Sequence, residues 1–207
     1  PGGADAEPFI THYNALNKDF YLRISLEISL KKMLIGGFEK IYEIGKVFRN
    51  EGIDSQHLQD YMQLEFYWAY ADYKDLMKFV EKMYKYVIKK TLGTLKTKWN
   101  GHTINWQKKW KIVDYVKIFT KETSLDPLNA SKEVLYKKAI SVGAKPNKKM
   151  GKGRLIDLIY KKAIRPKIIQ PTFLINTPVI LSPLSKRHFD NPDIAERIQI
   201  LACGEEL

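Results

Sequence analysis

Hydrophobic and polar positions alternate most clearly between Lys40 and Asp72, KIYEIGKVFRNEGIDSQHLQDYMQLEFYWAYAD. Ile41, Ile44 and Val47-Phe48 mark one β-favouring run, and Met62 to Ala71 is a second, rich in aromatic residues. Asn50 to Asp60 between them is polar, with Asn50, Gly52, Asp54 and Ser55 as turn formers. The pattern predicts a hairpin whose alternate side chains project to one face. On the return strand Gln63, Glu65 and Tyr67 share a face, and Leu64, Phe66 and Trp68 share the other. Arg49 and Glu51 share a face if the first strand runs that far. A carboxylate such as Glu65, set in so apolar a strand, needs a cation or several donors if the sheet is covered. With His57 in the loop and rings at Tyr61 and Tyr67, the set suits a polyanion carrying a planar base beside a small cationic substrate. An ordinary amphipathic hairpin with a wet polar face explains the same alternation.

The rest of the chain reads as short strands and amphipathic helices. Phe9-Tyr13 and Phe20-Ile24 predict a hairpin around Asn14 to Asp19. Ser25 caps a helix with Leu26, Leu30, Met33 and Leu34 at helical spacing, stopped at Gly36-Gly37. Asp72 caps a longer helix with Leu76, Phe79, Val80, Met83 and Val87 on one side, ended by Gly93. Asn100-Gly101 is the strongest local hairpin signal, joining Thr94-Trp99 to His102-Trp106. From Val113 to Arg165 the pattern is helical with polar breaks, giving helices at Val113–Phe119, Val134–Val142 and Leu155–Ile164. Pro166 and Pro171 end that region, and Thr172-Ile175 and Glu196-Cys203 read as strands around the loop SPLSKR. In PNKKMGKGR (146–154), Gly151-x-Gly153 lacks the GK[ST] of a phosphate loop, so a basic loop before a helix is the plainer reading.

Composition changes this picture little. A length of 207 residues suits one domain with room for a substantial core. No apolar run approaches the roughly 18 residues of a membrane span. The single cysteine, Cys203, excludes an intrachain disulfide and sits among apolar neighbours as a structural thiol. The four histidines show no ligand spacing, so a protein-held zinc is not expected. A net charge of +12 favours phosphate backbones, although dispersed lysines such as Lys82, Lys85, Lys89 and Lys90 fit a solvated face equally well.

The stretch FRNEG, followed by a histidine, an aromatic residue and LEFYWAYADY, resembles motif 2 of the class II aminoacyl-tRNA synthetases, and most closely its lysyl-tRNA synthetase form. PGGADAEPFITHYNALNKDFYLRISLE, SPLSKRH and IAERIQ are similar to that enzyme too, so the resemblance runs from end to end. It implies an α+β fold: an incomplete class II core with an antiparallel sheet flanked by helices. Residues 1–207 would form a partial catalytic domain carrying a small helical insertion at roughly 110–168. Motif 1 would precede Pro1 and motif 3 would follow Leu207, so the chain by itself is expected to be inactive.

The resemblance also implies a chemistry: lysine and ATP give lysyl-adenylate, and lysine then passes to tRNA(Lys). Arg49 would be the catalytic residue, bridging the lysine carboxylate and the α-phosphate. Glu51 would accept from the adenine amine, His57 would reach the outer phosphates, and Tyr61 would lie on the adenine face where the family usually has Phe. Gly3, Glu27, Glu65 and Tyr67 would hold lysine, and Glu206 would help hold Mg2+ bound to ATP. A first-turn acid favoured by the helix dipole is the simpler reading of Glu27 from the residues alone. The complete enzyme would be a cytoplasmic homodimer with no membrane association. Two alternatives stay open: a paralogue that lysylates a translation factor, and a non-catalytic RNA-binding or dimerising derivative.

Overall fold

A computed structural model describes residues 4, 6–53 and 57–207 of the protein. The chain forms two compact units, Pro1–Ala71 and Asp72–Leu207.

The first unit begins with a hairpin of β1 (Ile10–Tyr13) and β2 (Lys18–Tyr21), turned by Asn17 in the left-handed region at φ 47°. Helix α1 (Glu27–Ile35) follows. Ser25 accepts from the Glu27 N–H at 3.1 Å, closing a local turn just ahead of the helix. Leu26 and Leu30 bury, whereas Met33 of the expected stripe stays exposed. The predicted hairpin is present as β3 (Lys40–Phe48) and β4 (Asp60–Trp68), paired antiparallel from Lys40↔Trp68 to Phe48↔Asp60. Leu26, Leu30 and Val47 form the small core of this unit, with Ile41, Tyr61 and Tyr67 packed against it. Helix α1 therefore covers the same ribbon face that carries the odd-numbered residues of β4.

In the second unit α2 (Tyr73–Leu92) starts at Asp72, whose carboxylate accepts from the N–H groups of Lys74 and Asp75, and ends at Gly93 with φ 69°. Its buried stripe is rotated from the expected one. Met77 and Val80 are buried while Phe79 and Val87 are exposed, because the partner surface is an aromatic group on that flank. Tyr84 lies 6.5 Å from Trp106 and 5.6 Å from Trp110. The hairpin of β5 (Lys96–Trp99) and β6 (His102–Asn105) turns at Asn100 and Gly101, both at positive φ, as its two-residue loop requires.

Strands β7 (Lys111–Asp114), β8 (Thr172–Pro178), β9 (Ile194–Ala202) and β10 (Glu205–Glu206) form one sheet in the order β10-β9-β8-β7. The β7–β8 pair is parallel and the others are antiparallel. Val113 is thus a strand residue and not the start of a helix. The β-branched pair Ile112-Val113 sits against Phe173-Leu174, and helix α3 (Tyr115–Thr123) begins only after Asp114 caps it. Helices α3, α4 (Lys132–Ser141) and α5 (Lys152–Ile159), then a π-helical turn at Tyr160–Ile164, connect β7 to β8. Phe119, Leu135, Leu155, Ile156 and Ile159 are fully buried among them, packed with Leu174 and Leu201 of the sheet. Gly204 at φ 80° makes the tight β9–β10 turn, where an added Cβ would come within 3.1 Å of Pro166 Cα.

Candidate active site

Cross-strand partners in an antiparallel ribbon project to the same side. In the β3–β4 ribbon the pairs Ile41–Tyr67, Glu43–Glu65, Gly45–Gln63 and Val47–Tyr61 therefore define one face. The ladder continues one bond beyond β3, from the Arg49 N–H to the Gln59 carbonyl at 2.8 Å. The Arg49 guanidinium carbon lies 5.6 Å from the centre of the Tyr61 ring, and Nε donates to the Ile24 carbonyl at 3.3 Å. That geometry leaves the terminal guanidinium nitrogens beside an aromatic face.

Further along the same face, the Tyr67 hydroxyl donates to Glu65 Oε1 at 2.7 Å. Burial pushes the Tyr67 phenol well above its ordinary range, reinforced by the bond and charge of Glu65 and then by the charge of Glu27. Tyr67 is consequently a neutral donor throughout the physiological range. Glu27, the first residue of α1, is ion-paired with Lys31 one turn later. The Lys31 ammonium lies 5.9 Å from the Tyr67 ring centre, which ties Glu27 into the same group.

Arg49 with Tyr61, and Glu65 with Tyr67 and Glu27, thus form two groups along one ribbon face. Glu51 and His57 are not on the strand: β3 ends at Phe48, and both residues lie exposed in the loop, so strand alternation does not align Glu51 with Arg49. Gly3, like the turn formers Asp54 and Ser55, lies outside the described residues.

Glu206 belongs to the second unit. Its carboxylate accepts from Gln199 Nε2 at 3.1 Å, while the neighbouring Glu205 pairs with Arg165 at 3.1 Å. It helps line a cavity of about 390 Å³ together with Tyr115, Tyr160, Thr177, Arg154 and Arg197. The hydroxyls of Tyr115, Tyr160 and Thr177 are buried there with no hydrogen-bond partner among the described residues. Burial raises both phenols far above their usual range. No group of three or more His, Cys, Asp or Glu among the described residues could hold a metal ion by itself.

Three residues on the ribbon face went unremarked in the sequence reading. Glu43 stands directly opposite Glu65, a pairing that follows from the hairpin register once the turn is placed. Gly45 and Arg23 complete the arrangement: Arg23 Nη1 donates to Glu43 Oε1 at 2.5 Å and Nε to the Lys46 carbonyl at 2.7 Å. No periodicity links Arg23 to Glu43 across 20 residues, so no local signal could have found that contact.

The model of the family described as tRNA synthetases class II (D, K and N) matches residues 1–207. The chain belongs to that family. It is 42% identical over 207 residues to a lysine–tRNA ligase from Carboxydothermus hydrogenoformans, covering all of this chain and 42% of the relative. It is 42% identical over 206 residues to a lysine–tRNA ligase from Thermotoga maritima, of which it spans 41%. A lysine–tRNA ligase from Christiangramia forsetii is 39% identical over 207 residues, with 36% of its length covered. The chain therefore spans about two-fifths of the length of the curated relatives it matches. The class II fold expected from the sequence is the fold of this family, and no helix among the described residues is long and apolar enough to cross a membrane.

Proposed function

We propose that this chain supplies the lysine- and ATP-binding ribbon of a lysine–tRNA ligase, which activates lysine as lysyl-adenylate and transfers it to tRNA(Lys). One observation carries the reading: Arg49 over Tyr61, and Glu65 with Tyr67, lie at two stations of a single ribbon face. The four-residue step from Tyr61 to Glu65 spans about 13 Å, a length on the scale of an aminoacyl adenylate.

Two anions, the lysine carboxylate and the α-phosphate, must approach for in-line attack, so positioning and cationic stabilisation control the barrier. Arg49 is suited to both, since its fork binds two oxygens at once while Nε stays fixed on a backbone carbonyl. Tyr61 offers a ring for the adenine, Glu51 would accept from the base amine, and His57 would reach the outer phosphates. Glu65, held by the Tyr67 hydroxyl, is left with lone pairs for the α-ammonium, and Tyr67 would reach toward the side-chain ammonium. Glu27 would exchange Lys31 for substrate, and the backbone of Gly3 would complete the lysine site.

Among the described residues the Glu206 carboxylate accepts one side-chain amide N–H, so it retains lone pairs for a further ligand. It would supply a carboxylate to a magnesium ion held mainly by the nucleotide phosphates, in the manner usual for Mg2+. When bound, that ion neutralises charge on the phosphates. The helical segment between β7 and β8 is proposed as the family's insertion within a partial catalytic domain, and the complete enzyme as a cytoplasmic dimer.

The test places this chain in the corresponding segment of the C. hydrogenoformans relative and measures lysine-dependent ATP–pyrophosphate exchange. Arg49→Ala should cost about 3 kcal/mol, a 100- to 1,000-fold loss of exchange rate. An unchanged rate would remove Arg49 from its role.

A further inference from the structure

Three acids gather on the ribbon face, and the structure treats them differently. Glu27 is paired with Lys31 and Glu43 with Arg23, whereas among the described residues Glu65 accepts from the neutral Tyr67 hydroxyl. Glu43 and Glu65 are register partners on adjacent strands, and directly opposed side chains in such a pair stand about 5 Å apart. An uncancelled Glu43 would therefore be a second ammonium acceptor one strand away from the first.

Arg23 reaches Glu43 by a route the backbone prepares. The Arg23 carbonyl accepts from the Phe48 N–H at 2.8 Å, docking the segment before α1 beside the end of β3. From there the side chain runs back over the strand, with Nε on the Lys46 carbonyl and Nη1 on Glu43. The guanidinium occupies the space above Gly45, where a Cβ would sit 2.2 Å from Arg23 Nη2 and 3.0 Å from Glu43 Oε1. Glycine at this strand position is otherwise unfavourable, and its close approach to Arg23 accounts for it.

We propose that Arg23, laid across Gly45, is a positioning and specificity residue: it cancels Glu43 so that, among the described residues, Glu65 is left as the ribbon acid without a cationic partner and receives the lysine α-ammonium. The proposal rests on the lysine-activating reading above. Without Arg23 a lysine ammonium would partition between Glu65 and Glu43, and the second position would turn its carboxylate away from the α-phosphate. Binding of cations would tighten while productive turnover falls, a pattern that loss of a merely structural brace does not give.

The experiment uses the same graft into the C. hydrogenoformans relative, with Arg23→Met, Arg23→Met/Glu43→Gln and Gly45→Ala variants. Lysine-dependent exchange is measured together with inhibition by 1,5-diaminopentane, which is lysine without its carboxylate. Arg23→Met should lower kcat about tenfold with lysine KM unchanged or reduced, and should strengthen diaminopentane inhibition several-fold. Adding Glu43→Gln should reverse both effects. Gly45→Ala, which displaces the guanidinium, should reproduce the Arg23→Met pattern and serves in its place if Arg23→Met does not fold. Weaker inhibition accompanied by lower kcat, or no rescue by Glu43→Gln, would reduce Arg23 to a backbone brace and overturn the proposal. Unaltered kinetics in both Arg23→Met and Gly45→Ala would overturn it as well. If the unmodified graft shows no lysine-dependent exchange, the lysine-activating reading itself fails, an outcome distinct from these.

Discussion

Tyr67→Phe removes one oxygen atom from the ribbon and leaves the ring that packs on Leu26, Leu30 and Val47. The lost contact is the 2.7 Å hydrogen bond to Glu65. Hydrogen bonds to charged groups contribute about 1.5–3 kcal/mol when water cannot replace them. In the free protein both residues are half-buried, so water takes over part of the bond and the fold should lose less than about 1 kcal/mol. With lysine bound the carboxylate is drier and carries an ammonium, and the missing donor should then count nearly in full. At 1.4 kcal/mol per factor of ten, lysine affinity should fall about 10- to 150-fold. The assay is a lysine titration of ATP–pyrophosphate exchange at saturating ATP in the grafted enzyme, paired with thermal melting. Lysine KM should rise at least about tenfold while ATP KM stays within about twofold and Tm drops by no more than a few degrees. Unchanged lysine KM would refute the assignment of Glu65 and Tyr67 to the amino-acid station. A joint rise of both KM values with a large loss of Tm would mean the hydroxyl only holds the fold together.

Two further outcomes follow from the second unit. Tyr115 and Tyr160 are buried with phenol pKa values raised above the unfolded value near 10, so the stability they confer is complete below about pH 10 and is lost as pH rises beyond it. Urea midpoints should hold steady from pH 8 to 9.5 and fall above about pH 10, and Tyr115→Phe should flatten that fall; a pH-independent midpoint to pH 11 would contradict the burial argument. Leu155→Ala, at a fully buried position between the helices and the sheet, should cost about 2–5 kcal/mol, and a loss under about 1 kcal/mol in urea unfolding would show that the helical core is loosely packed.

The ribbon was legible from the sequence because its two cues agree: alternation over both strands, and a polar loop long enough to reverse the chain. The shared face of Gln63, Glu65 and Tyr67 follows from that alternation, and Tyr61 joins it because β4 begins at Asp60, two residues before the expected Met62. Where the cues were weaker, tertiary context decided. The run Lys111–Asp114 is short enough to read as the first turn of a helix, and only pairing with the buried strand at Thr172 makes it a strand. The stripe of α2 was placed one flank away from the buried one, since the helix has apolar residues on both sides of Val80 and the tryptophans that choose between them lie beyond Gly93. Strand alternation aligns Glu51 with Arg49 only if the strand runs that far, and it ends at Phe48, three residues short of Glu51, with nothing local to mark that end. Arg23 is the instructive miss. It sits in a segment with no regular structure, its partner is on another element, and its only sequence-level trace is a glycine where a strand would ordinarily carry a side chain.

The most direct test of the whole account is amino-acid dependence. The grafted enzyme, with this chain in place of the relative's own segment, is assayed for ATP–pyrophosphate exchange with lysine, aspartate and asparagine in turn, the three amino acids its family activates. The arrangement of Glu27, Glu65 and Tyr67 on the ribbon face that also carries Arg49 and Tyr61 predicts exchange with lysine alone. Exchange driven by aspartate or asparagine, or none with lysine from a folded graft, would contradict it.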